Sequence, residues 1–207
     1  MAAEEVAQEL ETLAGPVINK LIAMMGAARN AFNRHRRSSM DELKDLQGGV
    51  EKDLKAAISR VEALIAGKPE REQAAFLRLQ SILTHEQLIA DTIGALANPI
   101  QKKIQDGVLF SDKAVTQTNY LFDHQAGILR SLVDIIKTDN EFLKKYVLEE
   151  GTKLIQACIV FATEHEARMI EGVCLPQAAP IFLAILDRMR SIGQHAVDIA
   201  NLLAKKP

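Results

Sequence analysis

The stretch Ala178 to Leu203, AAPIFLAILDRMRSIGQHAVDIANLL, constrains the fold more than any other part of this chain. Its apolar residues Phe182, Ile185, Met189, Ile192, Ala196, Ile199 and Leu203 recur at steps of three and four, which sets them on one face of a helix. A helix with so long an apolar stripe must bury it against other elements. Beside the stripe run Arg190, Gln194 and Asp198, four residues apart. Side chains at that spacing stack along a helix, so these three form a polar ridge bordering the buried face.

The rest of the chain reads the same way. Alternating runs and hairpin turns are nearly absent, and the one Asp-Gly pair, Asp106-Gly107, follows a helical pattern. Aromatics make up 4% of 207 residues and Trp is missing, so Ala, Leu and Ile must fill the core, which suits close helix packing. The sequence predicts an all-α protein of six long helices. Pro16 opens the first, to about Arg37. Ser39, with Glu42 three residues on, forms a capping box at the head of the second, which contains Gly48-Gly49 and ends near Ala66-Gly67. Pro69 begins the third, which bends at Asn98-Pro99 and stops at Gly107. Ser111 starts the fourth, through Lys137. Thr138 and Glu141 form a second capping box for the fifth, which ends at Gly172, and Pro176 starts the sixth.

This order repeats. A shift of 100 residues pairs Asp41 with Glu141, Leu43 with Leu143, Lys44 with Lys144, Leu54 with Leu154 and Ala57 with Ala157. A shift of 103 pairs Ala75 with Ala178, Ile82 with Ile185, Leu83 with Leu186 and Ile89 with Ile192, and sets Gln87 and Asp91 opposite Arg190 and Gln194. The expected organisation is an amphipathic extension over residues 1–15, a three-helix unit over 16–107 and a second over 108–207. Helices of this length are roughly 40 Å long and cross at about +20° in such bundles. Extended faces of that kind suit contact with partners.

The final helix resembles the signature of the PhoU family of phosphate regulators, roughly L-E-R-I-G-D-H-A-x-N-I-A. Met189, Ile192, Gly193, His195, Ala196, Ile199 and Ala200 fit that pattern. Phe110 to Leu203 is similar to the PhoU-type tail of some sodium–phosphate cotransporters, in its Phe-Ser start, its Thr-Asp break, His165 and Arg168, and Glu171-Gly172. The first half matches mainly in helix lengths. The resemblance implies a two-repeat, six-helix bundle that reports phosphate sufficiency to a membrane transporter and its sensor kinase. It also implies metal clusters held by a Glu-x-x-x-Asp-x-x-x-Asn ridge on the last helix of each repeat, because a hard cation wants several convergent oxygens.

Here the ridges are Gln87, Asp91, Ala95 and Arg190, Gln194, Asp198, each keeping one carboxylate. Arg190 brings the positive charge a metal would have brought, and can pair with Asp187 or Asp198. No cofactor is expected. Were a metal bound, Asp91, Asp198, His165 and Glu166 would be its ligands, with Glu149 and Glu150 of the fifth helix as further acids.

Other groups carry weaker signals. His35, His85, His124, His165 and His195 show no His-x-x-x-His spacing. His85-Glu86 and Glu164-His165-Glu166 could supply ligands where their helices converge, but solvent-facing helical histidines are the simpler reading, and His195 reads as a helix-packing residue. Cys158 and Cys174 lack metal-ligand spacing, and Cys158 falls on an apolar stripe. Neither a nucleophile elbow nor a Gly-rich phosphate loop is present, so the chain is read as no enzyme. Arg34, Arg36 and Arg37 form a basic patch that offsets the helix dipole or meets an anionic partner or inner membrane surface.

A net charge of −2 gives no global attraction to nucleic acid. The acidic N-terminus lacks signal-peptide order, and no run approaches the ~20 apolar residues of a membrane span. The chain is placed in the cytoplasm, with peripheral contact at the membrane. The expected function is docking on a phosphate transporter or sensor kinase, as a homodimer, through Gln87, Asp91, Arg190, Gln194 and Asp198. The alternatives are a metal-binding bundle with altered ligands and a scaffold that has left phosphate biology.

Overall fold

Six helical rods account for nearly all of residues 2–34 and 37–205, which the computed structural model describes, and no strand occurs among them. The first rod joins α1 (Ala2–Glu9) to α2 (Gly15–Arg34) through a π turn over Leu10–Ala14. Residues 2–15, expected ahead of a helix start at Pro16, are thus helical and run straight into α2. Pro16 has no N–H and its ring crowds the carbonyl four residues back. The wider turn just before it, closed by the Gly15 N–H on the Leu10 carbonyl, relieves that conflict without ending the rod.

The second rod, α3 (Arg37–Ala66), begins two residues before Ser39, so Ser39 is no N-cap but a buried member of the first turn. Gly48-Gly49 does not break it, because Leu43, Val50, Leu54, Ala57 and Val61 bury a continuous stripe on either side. The third rod is α4 (Glu70–Ala95) followed by α5 (Ala97–Gln105). The interruption falls at Leu96, three residues before Pro99. A proline there cannot donate to the Ala95 carbonyl, and the Leu96 N–H tightens onto Ile93 instead. Gly107, at φ +60, takes the chain out of the rod.

The Ser111 hydroxyl caps α6 (Asp112–Thr138) as expected, accepting from the Ala114 N–H at 3.3 Å. The predicted Thr138–Glu141 box is absent. Thr138 is the last residue of α6, and its hydroxyl donates to the Asp134 carbonyl at 2.6 Å. Asn140 caps α7 (Glu141–Ile170), its Oδ1 accepting from the Phe142 and Leu143 N–H groups at 2.9 and 3.2 Å. Asp139 between them turns left-handed at φ 51, which displaces the cap by two residues. A short 3-10 turn, Pro176–Ala178, leads into α8 (Ala179–Ala204).

Helices α2, α3 and α4 pack on one another, as do α6, α7 and α8. The two bundles join along α4 against α8 and α2 against α6, and one apolar core runs through both. Six of the seven stripe residues of α8 are buried, with Leu203 only partly so. Phe32, Phe110 and Phe182 chain together at centroid distances of 5.7 and 5.8 Å, linking α2 to α8 across the loop before α6. In the second bundle α7 approaches α8 closely: a Cβ on Gly151 would lie 2.4 Å from Val197 Cγ2.

Candidate functional site

Helices α4 and α8 run antiparallel. Arg78, early in α4, donates to the Lys205 carbonyl just past the end of α8, while Leu88 to Ala95 face Asp187 to Ser191. Each helix carries one predicted ridge, and both ridges are solvent-facing. Gln87 and Asp91 are exposed. Partial burial, then the charge of Glu51 on α3, raises the Asp91 carboxyl above its ordinary range. Asp91 and Ala95 share a shallow depression of about 280 Å³ with Thr92, Asp187 and Arg188.

On α8 the Arg190 guanidinium donates to Asp187 Oδ1 at 2.9 Å, the first of the two carboxylates expected for it. Four residues on, the Gln194 amide donates to Asp198 Oδ1 at 3.1 Å. Arg190 also lines a groove of about 550 Å³ between α7 and α8, with Cys158, His165, Glu166 and Asp187. A cysteine and histidine in one groove invite a nucleophilic reading, but the electrostatics oppose it. Burial pushes the Cys158 thiol up to about 12 despite the nearby Arg190 charge. His165 is 1% exposed, packs at 4.7 Å on the Phe182 ring, and has no hydrogen-bond partner on either nitrogen among the described residues. Burial, then the Arg168 charge, lowers its pKa, so the ring is neutral.

Asp91, Asp198, His165 and Glu166 do not converge. Asp91 lies in the α4–α8 depression, His165 and Glu166 line the α7–α8 groove, and Asp198 lies beside two other histidines. Glu150 pairs with Lys153 at 2.7 Å and Glu149 approaches Lys145 at 3.8 Å, so both acids are matched by cations of their own helix. In the basic patch Arg34 is exposed at the end of α2, whereas Arg36 and the Arg37 side chain lie outside the described residues.

A further grouping contains His85, a ligand candidate in the sequence, with partners that its spacing did not indicate. His85 of α4 and His195 of α8, 110 positions apart, bring their Nδ1 atoms to 3.2 Å, and Asp198 Oδ2 stands 3.9 Å from each. Burial, then the charge of His85, lowers the His195 pKa, while Asp198 opposes the shift. Glu86, which the sequence offers beside His85 as a ligand, has instead a wholly buried carboxyl with no hydrogen-bond partner among the described residues, pushed well above the usual range by burial.

No family model matches this chain, and no curated protein does. Among solved structures it is similar to the crystal structure of PhoU from Pseudomonas aeruginosa, with a TM-score of 0.84 over 98% of this chain and 95% of that one. Sequence identity across the match is 13%, so what the likeness carries is architecture. Two three-helix bundles in this order and with this junction make the chain a protein of the PhoU fold.

Proposed function

We propose that this protein is a PhoU-like accessory regulator of phosphate uptake or phosphate signalling, working in the cytoplasm by docking on a membrane transporter or its sensor kinase. The near end-to-end match to PhoU carries this reading, since the shared architecture includes both ridge-bearing helices. No helix among the described residues is long and apolar enough to cross a membrane, which agrees with a peripheral role.

The ridges favour contact over the metal clusters that the resemblance implies. Where the resemblance implies a glutamate, Arg190 stands in an ion pair with Asp187, and Gln194 holds Asp198 by an amide. Such a surface presents both donors and acceptors to a partner. Docking acts by population shift: the partner state that contacts the ridges more favourably becomes the more populated one. Gln87, Asp91, Arg190, Gln194 and Asp198 are the contact residues, and the working form is a homodimer. The raised thiol pKa of Cys158 supports a non-enzymatic role.

Deleting the gene should change phosphate uptake and phosphate-starvation gene expression, and restoring it should reverse both. Unchanged uptake and expression would leave a scaffold outside phosphate biology as the better reading. Light scattering on the purified chain decides the dimer.

A further inference from the structure

We propose that His85, His195 and Asp198 bind one transition-metal dication of the zinc type, which joins the two three-helix bundles through α4 and α8. The inference does not depend on the regulatory role above.

The geometry is close to what such an ion requires. Zinc takes imidazole nitrogen and carboxylate oxygen at about 2.0–2.2 Å in a tetrahedron, so neighbouring ligand atoms stand roughly 3.3–3.5 Å apart. Here the two Nδ1 atoms are 3.2 Å apart, and Asp198 Oδ2 is 3.9 Å from both. Closing the carboxylate by a few tenths of an ångström completes one triangular face. Two imidazoles and one carboxylate select zinc, copper, nickel or iron over calcium or magnesium, which prefer oxygen alone.

Three surrounding features favour an ion over a bare imidazole–imidazole hydrogen bond. His195 and Asp198 are one turn apart on α8, so their relative position is fixed by the helix, while α4 delivers His85 from across the junction. Gln194 donates to Asp198 Oδ1, which turns the other oxygen, Oδ2, toward both rings and orients the carboxylate as an outer-shell partner does. The three side chains retain 25%, 22% and 34% exposure, so an ion could enter and keep a water as fourth ligand. The bundles differ here. The shift of 103 residues turns the His85–His195 meeting into one of Arg188 with Thr92, which offers no second ligand set. The set is also distinct from the implied ridge clusters, sharing with them only the Asp198 position.

The test uses untagged full-length chain stripped with chelator and titrated with Co(II), then Zn(II). The expected result is one Co(II) per chain with the intense visible d–d bands of four-coordinate cobalt, bleached by Zn(II). His85→Gln and His195→Gln should each weaken binding by more than the ~10–100-fold typical of an outer-shell change, and Gln194→Ala by about 10-fold. Zn(II) should raise the Tm of the parent and not of either histidine variant. Should a glutamine variant fail to fold, Asp198→Asn gives the same readout. Absence of micromolar Co(II) binding by the parent, or equal binding by parent and folded histidine variants, would overturn the site.

Discussion

Arg190 donates to Asp187 Oδ1 at 2.9 Å along α8, with both side chains about half exposed. An ion pair so open to water contributes about 0–1 kcal/mol, so its retention says little about stability. Arg190→Ala should therefore shift the Tm by no more than about 4 °C. Arg190→Glu sets a third carboxylate beside Asp187 and Glu166 of the same groove. On the docking proposal this reversal should abolish complementation of a deletion strain while the protein remains folded. Full complementation by a folded Arg190→Glu protein would remove the ridge from the mechanism.

Glu86 makes the opposite case, since its cost lies in the core. An unfolded glutamate titrates near pH 4.3, whereas burial holds the folded Glu86 carboxyl well above the usual range. A raised carboxyl pKa means that the folded state keeps its proton while the unfolded state loses it. Stability is then highest below the unfolded pKa and falls as pH rises from there towards the folded pKa, by about 1.4 kcal/mol per pH unit. Glu86→Gln keeps the shape and cannot ionise. Its stability should match the parent at pH 4 and exceed it at pH 7, by a margin that widens as pH rises between the two. Urea unfolding at both pH values checks this, and equal curves at pH 7 would mean that the carboxyl is ionised and solvated.

At the N-terminal end the sign reverses. Arg60 donates to both oxygens of Glu9, at 2.7 and 2.5 Å, and this hydrogen bonding holds the Glu9 carboxyl below its ordinary value. The pair's contribution is present above the unfolded carboxyl pKa and is lost as pH falls through the lowered folded one. Arg60 is 59% exposed, so solvent screens the pair and its contribution is small. Glu9→Gln should lower stability slightly at pH 7. The difference should vanish towards pH 3, as read from thermal melts of the two proteins.

Gly151 and Gly26 separate packing from propensity. Both lie inside helices, where alanine is intrinsically better by about 1 kcal/mol. At Gly26 a Cβ meets nothing within 4 Å, so Gly26→Ala should stabilise by up to that amount. At Gly151 it would meet Val197 Cγ2 at 2.4 Å, and a helical valine has little rotamer freedom with which to retreat. Gly151→Ala should cost a net ~1–2 kcal/mol, seen as a lower urea midpoint with an unchanged slope.

Much of the fold could be read from periodicity, because burying a helical stripe leaves a three- and four-residue repeat whatever the partner. The α8 stripe, the Ser111 cap, the turn at Gly107 and the interruption near Pro99 were legible for that reason. Helix starts were less so. Ser39 and Thr138 have the composition of caps, yet neighbours decided otherwise: α3 begins earlier, and the left-handed Asp139 passes the cap to Asn140. Pro16 misled in the same way, since the π turn before it lets the rod continue.

What the sequence determined alone was the local bias of each segment: helical everywhere, one face apolar, two ridges with replaced acids. Each of those depends on residues within a few turns of one another along the chain. Which side chains meet was decided only by tertiary structure. His85 and His195 come together because α4 and α8 pack antiparallel, and Glu86 loses its solvent because the merged core closes over α4. Both outcomes follow from how whole helix faces dock, a long-range choice that leaves no spacing in the chain.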